Sequence, residues 1–176
     1  MVKSKMLRLT MVLFTGAALV LPALAQEGGL PSQLTDHWKT SKKYVIALAE
    51  QMPAEDYSFK PNPEEMSFGQ QMAHIAGANT YFFSTLTGQK DPIPKPTAFD
   101  KANVLKLLNT SYDFVIAALD KLDHQRMQQS FDSPAGGGKM TGMELYLLAV
   151  DHTAHHRGQC IVYLRMKGIK PATYEF

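Results

Sequence analysis

Prolines and glycines cut this chain into four amphipathic stretches of roughly 20 to 25 residues, a pattern that leaves few architectures open. In the first, Leu34, Trp38, Val45, Leu48 and Met52 recur on one side of a helix that begins near Pro31-Ser32 and ends before Pro53. The second opens at Ser67-Phe68-Gly69-Gln70, a capping box, carries Met72, Ile75, Phe82, Phe83 and Leu86, and stops at Gly88. The third runs from Thr97 or Asp100 to Asp123 through Val104, Leu108, Val115, Leu119 and Leu122. The fourth opens at Thr141-Gly142-Met143-Glu144, again a capping box, and reads as helix from Gly142 to Lys167, with Gly168 and Pro171 as stop signals. No segment has the two-residue period of a strand, and the expected fold class is all-α, a four-helix bundle.

The connections differ in kind. Pro53 to Glu65 is proline-punctuated and too broken for regular structure, and Lys90 to Pro96 is a short linker. His124 to Lys139 is polar, ends in Gly136-Gly137-Gly138, and is expected to be the longest irregular stretch; loops of that length tend to carry function or lack order.

Residues 1–25 have the make-up of an export signal: Lys3, Lys5 and Arg8 form a basic head, Leu9 to Val20 an apolar stretch, and Ala23-Leu24-Ala25 a cleavage site. Residues 26–176 are then one domain, with a mature start near Gln26 and a periplasmic or secreted address. The apolar stretch is short for a membrane span, so no stable insertion is expected after cleavage. Eighteen basic residues stand against 16 acidic ones in the whole chain, but 15 against 16 once the signal is removed. A near-neutral domain without a basic stripe has no electrostatic reason to bind nucleic acid. Cys160 is the sole cysteine, so an intrachain disulfide is excluded. It reads as a small buried residue, with a metal-facing thiol as the alternative because it lies four residues after His156.

The chemistry concentrates in the fourth stretch, in Asp151-His152-Thr153-Ala154-His155-His156-Arg157-Gly158-Gln159. On a helix His152 and His156 are one turn apart on the same face, and two imidazoles so placed can grip one cation. Neutral imidazoles suit zinc and similar divalent ions, and structural packing is the competing reading. One helix face supplies two or three ligands at most, so others must come from elsewhere. His155 is three residues from His152 and could chelate with it, but it points about 100° away from His156; pairing with Asp151, four residues earlier, is the other reading. Trp38 is read as core and His37 as surface or core edge. His74 falls in the second turn of the second helix beside Ala73, Gly77 and Ala78, small residues that admit a neighbouring helix or a ligand.

His74 together with His152-Thr153-Ala154-His155-His156-Arg157-Gly158-Gln159 resembles the DinB family of metal-binding four-helix bundles. Met52-Pro53, Tyr57-Ser58-Phe59-Lys60-Pro61 and the Ser67-Phe68-Gly69-Gln70 helix entry resemble it too, and the likeness spans Leu34 to Gly168. The resemblance implies a divalent-metal site of His74, His152 and His156 (zinc, nickel or iron) open to an exogenous ligand. It also implies metal activation of a thiol or of water, since relatives include thiol-dependent transferases and isomerases; export argues against a cytosolic thiol. No carboxylate of the HExxH kind accompanies the histidines, and Asp151 could serve as a base only by turning inward. The contrasting expectation is a non-enzymatic metal- or ligand-binding module, with an exposed helix face available for a homodimer. Arg157 and Gln159 are expected to pack or hydrogen bond between helices, or to touch a small-molecule substrate.

Overall fold

The computed structural model describes residues 30–134 and 136–174. The export segment 1–25 and the mature start near Gln26 lie outside the described residues. Helix α1 spans Leu30–Gln51, α2 Phe68–Thr87, α3 Lys101–Leu119, α4 His124–Gln128 and α5 Gly142–Met166; strands β1 (Ser130–Asp132) and β2 (Lys139–Thr141) form an antiparallel hairpin. The four long helices make an all-α bundle, as the four amphipathic stretches predict. No helix among the described residues is long and apolar enough to cross a membrane.

Helix ends follow local chemistry. Ser67 Oγ accepts from Gln70 N–H at 3.2 Å while Gln70 Oε1 accepts from Ser67 N–H at 2.8 Å, and Thr141 and Glu144 exchange the same pair at the head of α5. Gly88 closes α2 with φ 73°, a left-handed turn that glycine enters without steric cost. The last carbonyls of α1 are met from outside: Lys101 Nζ donates to Glu50 O at 2.6 Å and to Met52 O at 2.8 Å.

Helix α2 packs along both α3 and α5, α1 packs chiefly on α3, and the contact between α1 and α5 is shorter. Trp38, Val45, Leu48 and Met52 of the first stripe are buried with Met72, Ile75, Phe83, Leu108, Tyr112, Leu119, Leu145 and Leu164 in a shared core. Burying a side chain of this size is worth about 1.5–3 kcal/mol, so the core and not the helices' own propensity holds the bundle.

Three sequence expectations need correction. The third helix ends at Leu119, not Asp123; Asp123 Oδ1 accepts from Arg126 N–H at 2.7 Å and starts α4 instead. The stretch His124 to Lys139 is therefore not irregular, since it holds α4 and most of the hairpin. Phe131 buries its ring under the Arg126 guanidinium, 4.7 Å from the ring centroid, and a three-residue strand acquires its order from such contacts. The Pro53 to Glu65 connection contains a 3₁₀ turn at Ala54–Asp56 and is tied down by Tyr57, whose hydroxyl donates to Ala49 O at 2.7 Å.

Two glycines set backbone approaches. A Cβ on Gly69 would lie 2.1 Å from Phe99 O, and one on Gly142 would lie 2.6 Å from Arg126 O. The first lets the segment before α3 lie on the first turn of α2, and the second seats α4 on the head of α5.

Candidate metal centre

Helix α5 crosses α2 so that His152 and His156, one turn apart, face His74 from the second turn of α2. The three ring centroids form a nearly equilateral triangle: 4.8 Å from His74 to His152, 4.4 Å from His74 to His156 and 4.5 Å from His152 to His156. One ligand atom from each residue lies within 4.8 Å of the other two, and among the described residues this is the one such group of histidine, cysteine or acidic side chains. The spacing of α5 and the expected contribution from α2 thus meet at one point.

The geometry suits a cation. His74 Nε2 and His152 Nε2 are 3.1 Å apart. Two nitrogens each about 2.0–2.1 Å from a shared tetrahedral zinc stand roughly 3.3 Å apart. Among the described residues no carboxylate joins the group, so the donor set is three neutral nitrogens, which zinc, nickel and iron all accept. His156 is the most deeply set, His152 is half-buried and His74 is exposed, so the triangle opens on the His74 side. Beyond that opening lies a groove of about 610 Å³ to which His74 and His152 contribute walls.

Electrostatics keep the imidazoles ready for a metal. Burial, reinforced by the His74 and His155 imidazoles, pushes His152 down to about 4. Burial, with His152, His74 and His155 adding, pushes His156 down to about 4, and burial lowers His74 as well. A proton competes for the same lone pair as the ion, and these shifts remove that competition near neutral pH.

Gln71, which sequence reasoning missed, orients the set. His156 Nδ1–H donates to Gln71 Oε1 at 2.6 Å, which fixes the tautomer and leaves Nε2 as the free nitrogen. With Oε1 so engaged, Gln71 Nε2 donates to Gln159 Oε1, and Gln159 Nε2 donates to His155 Nε2 at 2.9 Å. An amide chain therefore runs from the exposed His155 to the buried His156. His152 Nδ1 is buried and finds no hydrogen-bond partner among the described residues.

The remaining residues of the histidine stretch are sorted by their partners. His155 lies outside the triangle, as expected, but it pairs with Gln159 and not with Asp151, which is exposed and outside the ligand group. Both are four residues away on the same face, so spacing alone could not choose between them. Arg157 stacks on Tyr44 and Tyr174, 5.3 and 5.6 Å from the ring centroids, and so packs between elements. Cys160 is fully buried, its thiol pushed up by burial, and stands outside the ligand group.

A family model described as the DinB superfamily matches residues 37–160, more than half of the chain. The Bacillus subtilis protein YjoA is 27% identical over 139 residues, 78% of this chain and 90% of YjoA. Its crystal structure, described as that of a DinB-like protein, matches with a TM-score of 0.67 at 24% identity, covering 81% of this chain and 96% of that one. A DinB-like protein from Bacillus cereus matches at 0.70 and 19% identity, over 80% of this chain and 95% of its own. YfiT from Bacillus subtilis, described as a probable metal-dependent hydrolase with an unusual four-helix bundle topology, matches at 0.57 and 20%, covering 77% and 89%. At these identities the structural likenesses establish the fold.

Proposed function

The chain belongs to the DinB superfamily, and we propose that it is a divalent-metal-binding enzyme in which His74, His152 and His156 hold the ion and a thiol is the activated reactant. The observation that carries this reading is the convergence of three neutral imidazole nitrogens at the mouth of a groove. A closed, fully protein-ligated site would argue for a structural ion; three ligands beside open space leave room for an exogenous one. The fold likeness to YfiT, described as a probable metal-dependent hydrolase, supports an enzymatic reading. When bound, the ion would supply Lewis acidity toward a thiol or a water.

An exported address argues against a cytosolic thiol, but the chain's own residues favour a thiol from outside the cytosol over water. Among the described residues no aspartate or glutamate lines the groove, and exposed Asp151 belongs to neither the groove lining nor the ligand group, so the groove offers no carboxylate to take a proton from water. A free thiol already ionises near 8.5, whereas free water, at 15.7, depends on the ion alone to come down to about 7. Gln71 holds His156 in the tautomer that frees Nε2, and exposed His74 leaves the site open to the incoming molecule. The lack of a proton-accepting carboxylate also gives weight to a second reading, a non-enzymatic ligand-binding module. The amino-terminal pattern supports a periplasmic or secreted address for either.

Elemental analysis of protein purified without chelators, followed by a screen of thiols against ester and electrophilic substrates, tests the proposal. Stoichiometric metal and thiol-dependent turnover, both lost in His152→Ala, are expected. Stoichiometric metal without turnover would select the binding module. Protein that carries no metal and takes up none on reconstitution would sink the enzyme and leave at most a metal-free ligand-binding module.

A further inference from the structure

We propose that the groove beside the histidines receives a small molecule with an uncharged, apolar, ring-bearing body, laid along α2 with one donor head toward the triad. The placement of the head rests on the metal-binding reading; the nature of the body does not.

The groove's volume, about 610 Å³, is that of a small-molecule site. Its floor is Ala73, Gly77 and Ala78 of α2, and Tyr81, Phe82 and Phe99 build much of its walls. Among the described residues no lysine, arginine, aspartate or glutamate lines it. A carboxylate or ammonium on the body of an occupant would leave water without meeting an opposite charge, and that cost is large. An apolar body loses nothing by the transfer and gains from it. The groove therefore selects against thiols and substrates that carry several carboxylates and in favour of neutral aromatic or alicyclic ones.

Gly77 separates a ligand space from a packing requirement. A Cβ added at Gly69 or Gly142 would strike backbone, whereas a Cβ added at Gly77 meets nothing within 4 Å. No neighbouring helix needs that glycine. The open space above it belongs to the groove, so any side chain placed there grows into the volume an occupant would use. On the rim, Tyr81 is 52% and Phe99 36% exposed, two aromatic faces placed to close on a ring between them and the floor.

The test uses two dyes with one skeleton, N-phenyl-1-naphthylamine, which is neutral, and 8-anilinonaphthalene-1-sulfonate, which adds a sulfonate. Each is titrated by fluorescence into the full chain as purified, with metal content measured on the same samples. In samples freed of metal by a chelator, where no bound cation can offset the sulfonate, the neutral dye is expected to saturate a single site and to bind about tenfold or more tightly than the sulfonate. Gly77→Leu is favourable for a helix and is expected to abolish neutral-dye binding with metal content unchanged. Tyr81→Asp, on the exposed rim, is expected to weaken it about fivefold and provides the same reading should Gly77→Leu fold poorly. Stoichiometric metal in untreated protein together with equal or tighter binding of the sulfonate to the metal-free samples, or with binding unaffected by either substitution, would overturn the groove and leave the metal site standing. Neutral-dye binding that is lost in Gly77→Leu, in protein that takes up no metal, would support the groove and overturn the metal reading instead.

Discussion

His156 and Arg157 are consecutive on α5 and each is 9% exposed, yet what surrounds them differs. Arg157 turns toward α1 and the chain end, where its guanidinium rests on the faces of Tyr44 and Tyr174, a surrounding that suits a permanent cation. His156 turns toward α2, where Gln71 accepts from one ring nitrogen and two further imidazoles crowd the other. The first environment meets a permanent charge with ring faces. The second gathers ring nitrogens that face one another, with His74 Nε2 and His152 Nε2 3.1 Å apart, and that is the mark of a place for a ligand. Depth of burial is the same in both, so partner chemistry, and not burial, separates a packing residue from a site residue.

The largest effect expected from this contrast is on the packing side. Arg157→Ala removes a buried stem and its ring contacts, and should cost on the order of 3 kcal/mol in denaturant unfolding, with metal content unchanged. Metal loss in a folded Arg157→Ala protein would mean that the two environments are not separable. On the site side, Gln71→Ala leaves the three ligands in place but frees the His156 ring to rotate. Outer partners of this kind are worth about 10–100-fold in metal affinity, to be read by competition with a chelating indicator. Unchanged affinity would demote Gln71 to packing.

A smaller effect concerns pH. The folded values of His152 and His156 lie near 4, below the ordinary 6.5. Between those values the unfolded chain binds protons that the folded chain does not. Metal-free protein should therefore lose stability as pH falls from about 6.5 toward 4, with no further loss from these groups below that. His37, lowered by burial and by the Arg157 charge, contributes in the same direction from the other environment. Denaturation midpoints near pH 7 and pH 5 should differ less in His152→Ala than in the parent; an equal difference would place the proton-linked groups elsewhere.

What the sequence disclosed follows from the range of each interaction. The capping boxes at Ser67 and Thr141, the stop at Gly88 and the pairing of His152 with His156 are local, acting within four residues, and all were legible. His74 as the third member came from the family resemblance, because no helical period links α2 to α5. Gln71 meets His156 across 85 residues of sequence, and its one local clue was its place three residues before His74 on the same helix face. The hairpin escaped notice because three-residue strands have no period to read, and Phe131 draws its order from Arg126 of α4.

The central claim is that three particular imidazoles hold one ion. Metal-to-protein ratios for His74→Ala, His152→Ala, His156→Ala and His155→Ala, purified under one protocol without chelators, test it most directly. The first three should lose stoichiometric metal. His155→Ala should keep it, since that side chain ends the amide chain outside the triangle. Loss of metal in His155→Ala with retention in His156→Ala would put the ion on the other face of α5, and retention in all four would mean that the histidines are not the site.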